Sequence, residues 1–262
     1  MVMEHLPSVA QMRPITQPPT VLGRPSAEHW TGTLYLRRIS PYVTRLLCAT
    51  RITPNGVTWL MIASGVAAGL ALLLPGWPGA VLAVLCAQVQ MLLDCSDGEL
   101  ARWRGRSSAS GVFLDKLGHY SAEAVIPLAL GVRADGGLDS LGGWTTLGAL
   151  LTALVLFNKA LNDMVHASRA SAGLDPLDDR PQVGTPRKTT VRRLRSVARF
   201  LPFYRMYHSV ELTLLVLVAA IVDLVLGGSL LATQYLLLAL LVAAVVTVAG
   251  HVAAILSSSK LR

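Results

Sequence analysis

Apolar residues gather into six long runs, at residues 57–75, 79–101, 113–131, 144–166, 208–227 and 230–256. Most of these runs reach the roughly 20 residues that a helix needs to cross a bilayer. Turn-forming breaks separate several of them: Pro75-Gly76-Trp77-Pro78-Gly79, the pairs Gly136-Gly137 and Gly142-Gly143, and Gly227-Gly228. Any single run is compatible with a buried helix of a soluble protein. Six in succession leave little polar surface to face water, so the pattern predicts an all-α integral membrane protein with six transmembrane helices.

A shorter, mixed segment precedes the first run. Residues 28–50 intersperse Trp30, Leu34, Tyr35, Leu36, Ile39, Val43, Leu46 and Leu47 with Arg37, Arg38 and Arg45. This reads as an amphipathic helix lying at the membrane interface, kinked at Pro41. A short soluble helix packed on a basic loop is the alternative. The expected organisation is a flexible Pro-rich tail over 1–27, a membrane domain over 28–256 with a basic loop at 167–207, and a short tail over 257–262. The first 27 residues hold no apolar stretch of the kind a cleavable leader needs.

Composition agrees with a membrane protein. Of 262 residues, 53% are hydrophobic and 15% charged, against about a quarter charged in soluble domains; the mean hydropathy is +0.53. The three cysteines, Cys48, Cys86 and Cys95, are odd in number, and two share one apolar run, so free thiols are expected. The net charge of +8 is unevenly placed. Arg102, Arg104 and Arg106 fall in the break after the second run. Arg169, Arg180, Arg187, Lys188, Arg192, Arg193, Arg195, Arg199 and Arg205 fall in the 167–207 loop, and Lys260 and Arg262 at the C-terminus. Apart from Arg133, the alternate breaks are nearly free of positive charge. The positive-inside rule then puts both termini and both basic loops in the cytoplasm, at the plasma membrane. Attraction to anionic lipid headgroups explains the excess charge. Nucleic-acid binding is not expected, because no aromatic platform accompanies the arginines.

The apolar runs also contain acids. Asp94 and Asp97 lie near the end of the second, and Asp115 near the start of the third. Carboxylates there are costly and mark functional sites. Gly111, Asp115 and His119 recur at i, i+4 and i+8, along one stripe of a helix. Asp97, Gly98, Ala101 and Arg102 share a broad helical face with Asp94. Two antiparallel helices joined by a short loop bring all of these to one shallow, cytoplasmic depth. Converging acids repel unless neutralised, and their oxygen ligands suit Mg²⁺ or Mn²⁺. Gly98 and Ala101 clear room for a ligand against the helix backbone, and Arg102 offers a fork for phosphate oxygens. Capping or snorkelling acids paired with the three loop arginines are the structural alternative.

These residues resemble the signature of the CDP-alcohol phosphotransferase family, Asp-x2-Asp-Gly-x2-Ala-Arg-x8-Gly-x3-Asp-x3-Asp. Here it runs through Asp94, Asp97, Gly98, Ala101, Arg102, Gly111 and Asp115. Thr53-Pro54-Asn55-Gly56-Val57-Thr58 is similar to the family's Pro-Asn-x-x-Thr element. The last Asp of the signature is His119 in this chain. The resemblance implies six spans behind an amphipathic N-terminal helix, and a homodimer. It implies two divalent cations, Mg²⁺ or Mn²⁺, held by Asp94, Asp97, Asp115 and His119, bridging the diphosphate of a CDP-linked donor. An acceptor alcohol would then be deprotonated by His119 and CMP released, in phospholipid or related phosphodiester synthesis. Asn55, Thr58, Gly98, Ala101, Arg102 and Ser108 match nucleotide or diphosphate contacts of relatives. Imidazole can bind Mn²⁺ and can take a proton near neutral pH. Glu123, one turn beyond His119, is a second carboxylate on the same face.

The fourth run holds another polar group: Asn158, Lys159, Asn162, Asp163 and His166. Lys159 reads as the i, i+4 partner of Asp163, as a side chain snorkelling to the interface, or as a cation for an anionic acceptor such as a sugar or polyol phosphate. Three function classes follow. The first is the membrane phosphotransferase. The second is a catalytically weak relative with a binding or assembly role, suggested by His119. The third is a cation transporter, which would need acids through the whole membrane, whereas these gather at one level.

Overall fold

A computed structural model of the protein describes residues 7–19, 21, 31–175, 206–258 and 261. Among them every regular element is helical. They are α1 (Val9–Thr16), α2 (Arg37–Cys48, entered through a π-helical turn at Gly32–Leu36), α3 (Pro54–Ala71), α4 (Gly76–Trp103), α5 (Ala109–Ala134), α6 (Gly143–Ser171), α7 (Ser209–Val225) and α8 (Leu231–Ser257). Each of the six apolar runs becomes one helix, α3 to α8. Three of these, α4, α6 and α8, are long and apolar enough to cross a membrane. α3 and α7 are shorter, at 18 and 17 residues, and α5 carries the polar residues described below. Most of the basic loop, 176–205, lies outside the described residues.

The N-terminal part differs from expectation. Within the supposedly flexible tail, residues 9–16 form α1. Ser8 starts it with a capping box: its hydroxyl accepts from the Gln11 N–H, and the Gln11 side chain accepts from the Ser8 N–H. Met12 and Thr16 are fully buried, so packing as well as capping holds this single short helix. α2 runs through Pro41 to Cys48 and is polar side in: Ser40 and Thr44 are buried while Ile39, Tyr42 and Leu46 are exposed.

α3 packs against both α4 and α5, α6 against α5, α7 against α4, and α8 against α6. Small residues set these distances. A Cβ on Gly69 of α3 would fall 2.4 Å from Val125 Cγ1 of α5, and one on Gly148 of α6 would fall 2.7 Å from the Cα of Gly131 of α5. Side chains at either crossing would drive the helices apart. The core is accordingly rich in alanine, including Ala68, Ala80, Ala83, Ala87 and Ala122. Large apolar side chains such as Trp59, Leu85, Phe157, Val218 and Val242 point outward. The three cysteines are free.

The helix ends are tied by side chains. Arg133, the one cation that broke the charge asymmetry, is buried and donates to the carbonyls of Leu72, Leu74 and Gly76 after α3. It satisfies carbonyls that the helix end leaves open. Two acids each cap the next helix of a hairpin. Asp135, just past α5, accepts from the N–H groups of Gly142, Trp144 and Thr145 and from the Thr145 hydroxyl. Asp223 of α7 does the same for Ala232 and Thr233 of α8. The Asp-to-Thr spacing is ten residues in both.

Partial burial acts to raise the Asp135 carboxyl, but its hydrogen bonds from Thr145, Gly142 and Trp144 outweigh this and hold it below the ordinary value. A lowered folded-state pKa means that the contribution is full above the unfolded carboxyl range and is lost as pH falls through the folded value. Asp135→Ala should cost about 1 kcal/mol at neutral pH, as for other lost caps. The difference in thermal unfolding between variant and parent should shrink below about pH 4. A difference independent of pH would show that charge plays no part in this cap.

Candidate active site

Three helix ends meet on one side of the bundle: the starts of α3 and α5 and the end of α4. Thr53 caps α3 through the Gly56 N–H, and Ser108 caps α5 through the Gly111 N–H. The starts of α3 and α5, each with a partial positive charge, therefore lie beside one another near the end of α4.

Asp94 of α4 and Asp115 and His119 of α5 come together there. His119 Nε2 lies 3.1 Å from Asp94 Oδ1 and 3.7 Å from Asp115 Oδ1. One ligand atom from each of the three fits within a 4.8 Å group. Two carboxylate oxygens and an imidazole nitrogen make a donor set that suits a divalent cation with mixed oxygen and nitrogen preference. All three side chains remain partly open to solvent.

Asp97 is near but differently engaged. It is buried, and its Oδ2 accepts a 2.7 Å hydrogen bond from the hydroxyl of Thr58. Thr58 also reaches the Pro54 carbonyl, so the Pro-Asn-x-x-Thr element of α3 is joined directly to the signature of α4. Asn55 donates to Ser110, which contacts Ser108. A Cβ on Gly111 would fall 3.3 Å from both Asn55 Oδ1 and Ser108 Oγ, so the first turn of α5 sits closely on that of α3. Gly98 lies under the Arg102 guanidinium: a Cβ there would be 3.2 Å from Arg102 Nη1. Ala101 is half-buried beside it. Arg102 Nε donates to the Thr16 carbonyl of α1 at 2.7 Å.

A second polar layer lies between α5, α6, α7 and α8. Lys159 does not pair with Asp163. It donates to Glu123 at 2.8 Å, and His208 Nδ1 lies 3.1 Å from the same carboxylate oxygen. Asp163 instead takes Lys116 and the Tyr120 hydroxyl. His251 of α8 meets Asn158 at 2.9 Å. Asn162 and His166 are exposed. Glu123 thus faces the α6–α7 side rather than joining Asp94 and Asp115. Lys159, over the Tyr120 ring at 5.5 Å, already has an anionic partner.

Several of these residues escape a reading of the sequence. His208 and His251 sit at the ends of apolar runs, far from their partners in the chain. Glu99 lies inside the signature and is fully buried, with three side chains donating to it. A carboxylate in the last turns of an apolar run was the available signal.

The family model for CDP-alcohol phosphatidyltransferase matches residues 51–255. That is well over half of the chain, so the protein belongs to this family. The family transfers a phosphate-linked group from a CDP-alcohol. With three helices able to cross a bilayer, this makes the chain a membrane protein. No curated protein matches the chain.

If Lys159 is principally the counter-ion of Glu123, Lys159→Met should destabilise the protein by about 2 kcal/mol or more, because it weakens the pairing of a buried carboxylate. Adding Glu123→Gln should recover much of that loss in a thermal unfolding series. Undiminished destabilisation in the double variant would contradict the pairing.

Proposed function

We propose that this family member is a metal-dependent membrane enzyme. It moves a substituted phosphate group from a CDP-linked donor, such as CDP-diacylglycerol or another CDP-alcohol, to an acceptor alcohol with release of CMP. The observation that carries the reading is the meeting of Asp94 of α4 with Asp115 and His119 of α5. These donors fit a divalent cation. Asp94, Asp115 and His119, with Asp97 adjacent, would hold Mg²⁺ or Mn²⁺, two ions being the proposed number. When bound, such ions neutralise diphosphate charge and ease departure of the nucleotide.

The chain's own groups account for the rest. The capped N-termini of α3 and α5 favour an anionic ligand in front of them. Thr58 holds Asp97, and Asn55 and Ser108 fix how α3 meets α5 at the proposed nucleotide and diphosphate site. Gly98 makes room for the Arg102 guanidinium, whose Nη groups lie over the α4 backbone there. Asp94 faces His119 Nε2, which leaves Nδ1 to accept the proton of the acceptor hydroxyl. The short distances from Nε2 to two carboxylates also favour an alternative role, as a cation ligand through Nε2, in which Nδ1 carries the imidazole proton and the acceptor is deprotonated elsewhere.

Six spans, α3 to α8, with cytoplasmic termini in the plasma membrane complete the proposal, as does a homodimer. The outward-facing large apolar residues and small-residue core support the spans. The exposed Ile39, Tyr42 and Leu46 of α2 support an interfacial position for that helix.

The test is CMP release in membranes from a panel of CDP-linked donors and acceptor alcohols. Asp94→Asn and Asp115→Asn should reduce turnover by about three orders of magnitude or more, and excess EDTA should abolish it. Full turnover in EDTA would sink the metal-dependent reading. His119→Ala should cost about two to four orders of magnitude, while His119→Asp keeps substantial activity. Parent-like turnover in His119→Ala would remove both roles from His119. A cysteine at Ser171, in a chain without its native cysteines, should label only after permeabilisation; labelling in intact cells would reverse the orientation.

A further inference from the structure

Helix α1 lies outside the span of the family match, which starts at residue 51, yet it touches the signature helix at two points. At the first, Gln17 Nε2 donates 2.8 Å to Glu99 Oε1 and 2.8 Å to the Arg37 carbonyl. Glu99 is fully buried, and Ser40 and Thr44 of α2 donate to it at 2.5 and 2.7 Å. Three neutral donors from two N-terminal segments thus surround one carboxylate on α4. A buried carboxylate is costly without such donors, so the contact strongly specifies where α1 and α2 sit.

The second point follows from the first. Gln17 is the residue after Thr16, and the Thr16 carbonyl accepts the Nε–H of Arg102 at 2.7 Å. Docking Gln17 on Glu99 therefore fixes the carbonyl that holds one edge of the Arg102 guanidinium. The other edge, Nη1 and Nη2, lies against Gly98, 3.2 and 3.5 Å from where a Cβ would be. An arginine side chain loses much rotamer freedom on binding an anion. Anchoring its Nε in advance reduces that loss and aims its fork.

We propose that the N-terminal helix α1 is a positioning element of the nucleotide-diphosphate site: Gln17, latched onto buried Glu99, presents the Thr16 carbonyl that orients Arg102. The proposal rests on the nucleotide reading above. Gln17 and Glu99 are positioning residues that act through Arg102.

The experiment measures binding of CDP, with Mn²⁺ present, to the full-length protein in detergent by calorimetry. Parent, Gln17→Met, Arg102→Ala and the double variant are compared. Gln17→Met keeps the side chain's length and loses its donor. It should weaken CDP binding by about tenfold, as expected for losing a hydrogen bond to a charged group. In turnover assays the donor KM should rise while kcat and the acceptor KM stay near parental values. Once Arg102 is replaced by Ala, Gln17→Met should have no further effect on CDP affinity, because neighbours in one network are not additive. Equal CDP affinity in Gln17→Met and parent would overturn the positioning role and leave the nucleotide site standing. So would an undiminished effect of Gln17→Met in the Arg102→Ala background. Failure of the parent to bind CDP would overturn the nucleotide reading and this inference with it.

Discussion

Charge buried in an apolar helix bundle has to be partnered, and most of the architecture follows from how this chain meets that demand. Several buried acids have a defined set of groups around them. Asp97 has Thr58, Glu99 has Gln17, Ser40 and Thr44, and Glu123 has Lys159 and His208. Asp223 has the first turn of α8. These links run between different helices, so the same bonds that offset desolvation also fix how the helices sit together. Asp94 and Asp115 differ. They converge with His119, and two acids and an imidazole so close together make a cation their natural counterpart.

Small residues supply the other half of the design. Alanine and glycine let the helices pack closely around buried leucines such as Leu72, Leu130, Leu151 and Leu212, while many other large apolar side chains face outward. Close approach of α3 to α5 at Gly69, and of α5 to α6 at Gly148, lets polar side chains of moderate length reach across. The Lys159–Glu123 contact spans that same α5–α6 pair. The site is thus a consequence of packing as much as of its own residues.

The helices and the signature were legible in the chain because both are local. Run length and glycine breaks place α3 to α8 within a few residues, and i, i+4 spacing puts Asp115 and His119 on one stripe. What was missed is non-local. The i, i+4 partner expected for Lys159, Asp163, lies on its own helix, but the crossing of α5 and α6 offers Glu123 instead and gives Asp163 to Lys116 and Tyr120. Helix α1 has too short and too polar a pattern to stand out, since its stability comes from a cap and from a carboxylate 82 residues away from Gln17. Asp97 was expected among the cation ligands by spacing, yet spacing says nothing of Thr58, which reaches it from another helix.

The central claim is that Asp94, Asp115 and His119 form a cation centre, and Mn²⁺ binding to the purified protein tests it without any substrate. Electron paramagnetic resonance should show bound Mn²⁺ in the parent and affinity lowered by more than about tenfold in Asp94→Asn and Asp115→Asn. Parent-like Mn²⁺ binding in both variants would contradict the account.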